Sequence, residues 1–313
     1  MFGSPRTGST WLLELLAHPL SLEARDPLGF RAPDNPARPL DLLPVNESLL
    51  PTHLSPPGTE RSYARDRPWI RVPADVFGDL AAYFFSEHFA DVWRPAVREL
   101  AHTRFGAQMK RTAAKYPLSG RVAMVIKEPN GSHAAPLIMS LLPEARLIFL
   151  YRDGRDVVDS LLAMNEPGGL LAEWSGLPIE SPEQRLALIR EESLNWVARM
   201  EATEQAFRER PPALRWRVRY EDLAADPVEC LKPLFGWLGL QRDASAITDA
   251  VEAHAFGAAE QSLSGSAATR RAGAPGLWRK NLSAEESALA HEIMGEKLAD
   301  LGYEVVPELG AVT

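Results

Sequence analysis

The first thirteen residues constrain the fold of this chain more than any other stretch. Gly3 and Gly8 enclose a tight turn that leads into a helix with apolar residues at helical spacing. Such a turn directs backbone N–H groups and a helix N-terminus at one spot, which favours an anion. Arg6 adds a positive charge there, and Ser9 and Thr10 add hydroxyl donors. The stretch therefore predicts an anion-binding loop.

The spacing of the two glycines is close to that of a nucleotide-binding P-loop, G-x-x-x-x-G-K-[ST]. Ser9 stands where the lysine of a P-loop would be. We therefore expect a loop that holds phosphate without belonging to a standard nucleoside triphosphatase. A glycine turn with a purely structural role is the alternative at this point.

Two apolar segments further along the chain each end next to a cation. Residues 122–126 precede Lys127, and residues 147–151 precede Arg152, a turn and a second helix. Both segments are typical of buried parallel strands, whose C-terminal ends meet at one edge of a sheet. The sequence thus predicts an α/β protein with basic side chains at that edge.

Composition excludes several classes of protein. With 313 residues, 45% of them apolar, the chain can bury a core as one large domain or two smaller ones. The net charge of −8 argues against a nucleic-acid partner. The single cysteine, Cys230, excludes an internal disulfide framework and suits a reducing compartment. Without a leader segment or an apolar run of about 18 residues, we expect a cytoplasmic protein with no membrane partner.

Three motifs together resemble those of sulfotransferases that use 3′-phosphoadenosine 5′-phosphosulfate (PAPS). They are Pro5-Arg6-x-Gly8-Ser9-Thr10-Trp11, Lys127-x-Pro129, and Arg152 with Ser160 eight residues later. With arginine at position 6, the first motif resembles that of the branch that includes tyrosylprotein and many bacterial sulfotransferases. Arginine also outnumbers lysine in the chain, which is typical of proteins from GC-rich bacterial genomes. The resemblance covers nearly the whole chain. It implies a P-loop-NTPase-like three-layer fold in which helices flank a central parallel sheet.

The resemblance also implies a set of cofactor-binding residues. They are Arg6, Thr7, Gly8, Ser9, Thr10, Trp11, Arg152, Ser160, Tyr220, Phe256, Arg271 and Gly273. The first loop would bind the 5′-phosphosulfate, and Trp11 and Phe256 would enclose the adenine with Tyr220 nearby. Arg152 and Ser160 would grip the 3′-phosphate.

The C-terminal loop would complete the 3′-phosphate site through Arg271 and the backbone at Gly273. A phosphate monoester is held well by a bidentate cation and a hydroxyl donor, which this set supplies. The resemblance implies PAPS as co-substrate and no metal.

For catalysis, the resemblance places Arg6 and Lys127 at the bridging oxygen of the departing nucleotide. Some relatives carry a histidine base where this chain has Pro129, so the base is expected elsewhere. Asp26, which precedes a proline as the carboxylate base of other relatives does, is the first candidate. The alternatives are Glu23, Glu128 and His133.

We expect one sulfotransferase domain over residues 1–313. Residues 27–118 would form an insertion, first rich in proline and then helical with a break at Pro95, that shapes the site of a small-molecule hydroxyl acceptor. Two other functions stay open. A nucleotide-dependent kinase would need ATP and Mg²⁺, and a non-catalytic protein would bind PAPS or 3′-phosphoadenosine 5′-phosphate (PAP) without transfer.

Overall fold

The computed structural model describes residues 1–16, 42–46, 89–115, 123–240, 242–254 and 273–305. Its strands are β1 (Leu42–Asn46), β2 (Ala123–Lys127), β3 (Leu147–Tyr151) and β4 (Arg215–Arg219). Its α-helices are α1 (Ser9–Leu16), α2 (Ala90–Lys115), α3 (Ala135–Leu141), α4 (Gly154–Asn165), α5 (Leu170–Ser175), α6 (Pro182–Glu209), α7 (Tyr220–Ala225), α8 (Pro227–Leu238), α9 (Ala244–Ala253), α10 (Trp278–Asn281) and α11 (Ala284–Asp300). Short 3₁₀ helices span Ser132–Ala134 and Pro212–Leu214.

The strands form two parallel pairs, β1 with β2 and β3 with β4. The first two residues lie between the pairs. The nitrogen of Met1 donates to the Ile126 carbonyl and its own carbonyl accepts from Glu128, while Phe2 forms a parallel bridge with Phe149. The order across the sheet is therefore β1, β2, residues 1–2, β3 and β4.

Side chains of β3 alternate between two cores, as expected for a strand buried on both faces. Leu147 and Phe149 pack in one core with residues of α3, α4, α6 and α11. Ile148 and Leu150 pack in the other with residues of α1, α7, α8 and α9. Helices thus cover both faces of the sheet, which is the three-layer α/β fold predicted from the sequence.

Two long helices begin where their capping residues predict. Ser181 accepts a hydrogen bond from the backbone of Gln184 at the start of α6, and Pro182 occupies its first position. At the start of α11, Ser283 and Glu286 form a complete capping box. Both helices pack in the core that contains Leu147 and Phe149 of β3. The capping residues therefore locate two of the helices that build this core.

One expectation about the chain differs from the structure. Pro95 lies within α2 and does not break it. It is the sixth residue of the helix, beyond the four N–H groups that lack an intrahelical partner, so it removes one backbone hydrogen bond without ending the helix. Most of the proposed insertion, residues 27–41, 47–88 and 116–118, lies outside the described residues. Among the described helices, none combines the length and apolar character needed to cross a membrane.

Candidate active site

The basic residues singled out in the sequence lie at one edge of the sheet. Lys127 is the last residue of β2, and Arg152 follows β3 directly. Residues 3–8 connect the middle of the sheet to the start of α1. Because all strands are parallel, these segments leave the sheet at the same edge. The fold thus gathers the three motifs at one edge of the sheet, in a region we call the cleft.

The first loop has the backbone geometry of an anion-binding turn. Arg6 has a φ of 66° and is the one non-glycine residue with a positive φ in the described part of the chain, and Gly8 has a φ of 80°. Left-handed residues in a short turn direct neighbouring N–H groups to one side. The Thr7 side chain is fully buried and its hydroxyl donates to the Ser4 carbonyl at 2.8 Å. This bond ties the Thr7 hydroxyl to the loop itself.

Ser132 fixes the start of this loop. Its hydroxyl oxygen accepts from the Gly3 N–H at 2.9 Å and lies 2.5 Å from the Gly3 carbonyl. Gly3 also approaches β3 so closely that an added Cβ would lie 2.1 Å from the Leu150 carbonyl oxygen. Only glycine therefore fits between the strand and the loop at this position.

Lys127 reaches the first turn of α1. Its ammonium group donates to the Thr10 hydroxyl at 3.0 Å, and the residue is buried. Ser9, one residue earlier, is also buried, whereas Thr10 is exposed. A buried cation and an exposed hydroxyl at a helix N-terminus form a site for a negatively charged group.

Arg6, Ser160 and Arg152 form one connected group. The Arg6 Nε donates to the Ser160 hydroxyl at 2.9 Å, and Arg152 donates to the Arg6 carbonyl at 3.1 Å. Burial, and next the neighbouring Arg152, lowers the pKa of Arg6. The Arg152 Nε is buried and has no hydrogen-bond partner among the residues that the structure describes. The two guanidinium groups repel each other, and the buried N–H without a partner is energetically unfavourable. A bound phosphate would offset the repulsion and accept a hydrogen bond from this N–H.

Tyr220 and Trp11 form the aromatic wall of the cleft. The Arg152 guanidinium lies 4.4 Å from the centre of the Tyr220 ring, and Trp11 meets that ring edge-on at 6.3 Å. The Tyr220 hydroxyl donates to the Gly273 carbonyl at 2.6 Å, and the Trp11 Nε1 donates to the His254 carbonyl at 3.1 Å. These bonds fix both rings before any nucleotide is bound.

Sequence comparison identifies the family. The model of the Sulfotransferase family matches residues 1–244, which is most of the chain. The chain belongs to the sulfotransferase family. It is thus an enzyme of sulfuryl transfer, and no individually curated protein sequence matches it.

Two solved sulfotransferase structures are similar to the chain. The crystal structure of mouse sulfotransferase SULT7A1 complexed with PAP is 13% identical, with 96% of this chain and 84% of that chain covered and a TM-score of 0.51. The sulfotransferase domain from the curacin biosynthetic pathway is 18% identical, with 97% of both chains covered and a TM-score of 0.47. The likeness to the mouse protein shows a shared fold.

The structure describes two of the four candidate bases of this sulfotransferase. Asp26 and Glu23 lie outside the described residues. Glu128 is buried, and its backbone N–H donates to the Met1 carbonyl. Burial, and next the charge of Arg199, lowers the pKa of His133 to about 4. A histidine with so low a pKa is neutral at pH 7 but binds a proton weakly, which makes it a poor general base.

Two predicted cofactor residues, Phe256 and Arg271, also fall outside the described part of the chain. Gly273 lies within it and contacts Tyr220. Across the described ranges, no group of three or more His, Cys, Asp or Glu side chains is arranged to hold a metal ion.

Sequence reasoning missed three residues that support the site. Ser132 holds the first loop, as described above. Glu221 accepts from the backbone N–H of Asp153 at 3.0 Å and from the Tyr303 hydroxyl at 2.9 Å, which fixes the turn after Arg152. Asp156 is buried and binds the backbone of residues 276 and 278.

Proposed function

We propose that this sulfotransferase transfers the sulfuryl group of PAPS to a hydroxyl of a small-molecule acceptor. The observation that carries the proposal is the pairing of Arg6 and Arg152 beside Ser160, with the Arg152 Nε buried and unsatisfied. A phosphate monoester supplies the acceptor atoms that this group lacks. The 3′-phosphate distinguishes PAPS from ATP, so the group favours a PAPS enzyme over a kinase.

The sulfuryl end of the nucleotide would lie at the first loop, near Lys127 and Thr10. In the proposed step, the acceptor oxygen forms a bond to sulfur while the bond from sulfur to the phosphate oxygen breaks in line. Lys127 and the N-terminus of α1 stabilise the negative charge that develops on the departing phosphate oxygen. PAP leaves, and the acceptor proton passes to a carboxylate, for which we propose Asp26.

Arg6 has a place in this proposal that differs from the sequence-based expectation. The resemblance puts Arg6 at the bridging oxygen, whereas its side chain here donates to Ser160, a residue assigned to the 3′-phosphate. We propose that Arg6 contacts the 5′ end through its loop backbone and leaves Ser160 when the nucleotide occupies the cleft. Its side chain then becomes available to the phosphosulfate.

The acceptor would bind against residues 27–118. That segment connects α1, which carries Thr10, to β2, which ends in Lys127, and both residues lie at the sulfuryl end. The single cysteine and the excess of arginine over lysine further support a cytoplasmic enzyme of bacterial origin.

Substitution of Arg6 tests the proposal. We expect Arg6→Ala to abolish sulfate transfer to a panel of phenols and alcohols, measured by mass spectrometry as the gain of one sulfate. Arg6→Gly is the matched control for the backbone, because glycine adopts a positive φ without strain. Both variants should be inactive if the side chain is required, and near-normal turnover by either would contradict the assignment.

Titration calorimetry separates the other functions. We expect the wild-type protein to bind PAP more tightly than adenosine 5′-phosphate or ATP, without Mg²⁺. Preference for ATP with Mg²⁺ would favour the kinase. PAP binding without transfer to any acceptor would favour a non-catalytic binding protein.

A further inference from the structure

Asp156 joins two parts of the cleft that are far apart in sequence. It lies in the first turn of α4, and only 2% of its surface is exposed. One carboxylate oxygen accepts from the Gly276 N–H at 2.7 Å, and the other accepts from the Trp278 N–H at 3.2 Å. The side chain thereby holds residues 273–278, which we call the C-terminal turn, against the helix that follows Arg152.

The C-terminal turn is held at its other end by Tyr220. The Tyr220 hydroxyl donates to the Gly273 carbonyl at 2.6 Å. Trp278, at the far end of the turn, is buried beneath the Arg155 guanidinium at 4.1 Å from its ring centre. Side chains from two different strand ends therefore fix the turn along its length.

The same two side chains also flank Arg152. Its guanidinium lies over the Tyr220 ring at 4.4 Å, and its Nη2 lies 3.9 Å from the Asp156 carboxylate. That distance is beyond a hydrogen bond, so the carboxylate attracts the guanidinium without occupying its N–H groups. Arg152 is thus oriented while its Nε stays available.

We propose that Asp156 is a positioning residue that fixes Arg152 and the C-terminal turn relative to each other and thereby sets the selectivity for a nucleotide with a 3′-phosphate. The inference rests on the proposed function. A carboxylate suits this role because it offers two acceptor oxygens to two N–H groups and a negative charge to Arg152. Asparagine at position 156 would keep one acceptor oxygen and lose the charge.

A merely structural role and a positioning role have different effects on ligand binding. If Asp156 only stabilised the fold, its loss would weaken binding of every nucleotide alike. If it positions Arg152 and the turn, its loss weakens PAP binding and leaves the binding of adenosine 5′-phosphate, which lacks the 3′-phosphate, nearly unchanged. The ratio of the two affinities is therefore the informative quantity.

The experiment is calorimetric titration of the full chain with PAP and with adenosine 5′-phosphate. We expect Asp156→Asn to weaken PAP binding about tenfold or more, as for the loss of one charge-assisted hydrogen bond, and to change the affinity for adenosine 5′-phosphate less than about twofold. Asp243→Asn is the control. Asp243 caps α9 by accepting from the Ala246 N–H at 2.8 Å, and asparagine is also a good capping residue, so its substitution should leave both affinities unchanged.

Unchanged PAP binding by Asp156→Asn, or an equal loss for both nucleotides, would overturn the inference while the proposed function stands. A wild-type protein that does not prefer PAP would overturn the proposed function itself. If Asp156→Asn does not fold, Tyr220→Phe gives the answer. It keeps the ring under Arg152 and removes the hydroxyl that holds Gly273, so it should also lose PAP selectively, and an equal loss for both nucleotides would contradict the proposal.

Discussion

At the scale of single residues, Gly8 combines two constraints that a sequence pattern cannot separate. Its φ of 80° is a conformation that other residues adopt only with strain. An added Cβ would also lie 2.5 Å from the ring of Tyr220. The loop and the aromatic wall of the cleft therefore meet at one Cα atom, which leaves no space for a side chain.

We predict that Gly8→Ala lowers the free energy of unfolding by about 3 kcal/mol, from backbone strain and from overlap with Tyr220. It should also weaken PAP binding, since the Tyr220 ring supports Arg152. The control is Gly176→Ala, where φ is 66° but no atom lies within 4 Å of the added Cβ. That variant should lose about 1 kcal/mol from strain alone. Urea denaturation measures both, and equal losses would show that the Tyr220 contact is unimportant.

Residue types and spacing predicted which side chains would gather at the cleft, but not their partners. Lys127 and Arg152 follow from their places at strand ends, whereas Ser160 was named through the family resemblance. The bond from Arg6 to Ser160 does not, because it depends on a side-chain conformation set by tertiary neighbours. Asp156 was missed for a related reason. Its partners are backbone N–H groups about 120 residues away, and the sequence does not show which backbone groups a side chain will bind.

At the scale of secondary-structure elements, Gly154 determines how closely three helices approach. It is the first residue of α4, and an added Cβ would lie 2.5 Å from the Met294 Sδ of α11 and 2.7 Å from the Trp196 ring of α6. The side chains of Met294 and Trp196 are buried and have little room to move. The start of the helix after Arg152 is thus packed directly against both long helices.

We predict that Gly154→Ala lowers the free energy of unfolding by about 1–3 kcal/mol, because the overlap forces α4 away from its neighbours. Gly236→Ala is a suitable control within α8, where no atom lies within 4 Å of the added Cβ. There alanine should stabilise the protein by about 0.5–1 kcal/mol through its higher helix propensity. Opposite signs are therefore expected in thermal or urea denaturation, and a stabilising Gly154→Ala would refute the close packing.

Elements with local signals were predictable, and those that depend on long-range pairing were less so. The capping residues Ser181 and Ser283 located α6 and α11 in the sequence. Pro95 suggested a break that α2 does not have, because the helix continues on its other backbone hydrogen bonds despite one missing N–H. The pairing of β1 with β2 could not be read from residues 42–46, which contain a proline and lie in a proline-rich segment.

At the scale of the whole molecule, the buried His133 couples stability to pH. Its pKa is lowered from 6.5 to about 4, first by burial and then by Arg199, whereas a hydrogen bond with the Asn130 backbone acts in the opposite direction. In the unfolded chain, histidine takes up a proton near pH 6.5. Between about pH 6.5 and 4, the unfolded state therefore binds a proton that the folded state does not. Stability is retained above this window and is lost as the pH falls through it.

We predict that the free energy of unfolding falls by about 2 kcal/mol more between pH 7 and pH 5 in the wild-type protein than in His133→Gln, which has no group to titrate there. Urea denaturation at the two pH values measures the difference. The comparison between pH values cancels any constant cost of the substitution. Parallel loss in both proteins would mean that His133 is protonated as easily in the folded state as in the unfolded chain.

The overall α/β architecture followed from the sequence because buried parallel strands, each ending in a basic residue, impose it. The order of the sheet did not follow, since it requires knowing that residues 1–2 lie between β2 and β3. The family resemblance supplied the expectation of helices on both faces, and the alternating cores of β3 agree with it.

The position of residues 1–2 has a consequence for how the enzyme responds to its ligand. Two half-sheets meet at residues 1–2, where Met1 bonds to β2 and its following residue and Phe2 bonds to β3. Lys127 belongs to the first half and Arg152 to the second. A nucleotide that reaches both cations spans this junction. A bound nucleotide would hold the two half-sheets together, so the sheet would be more stable against separation of its halves when the cleft is occupied.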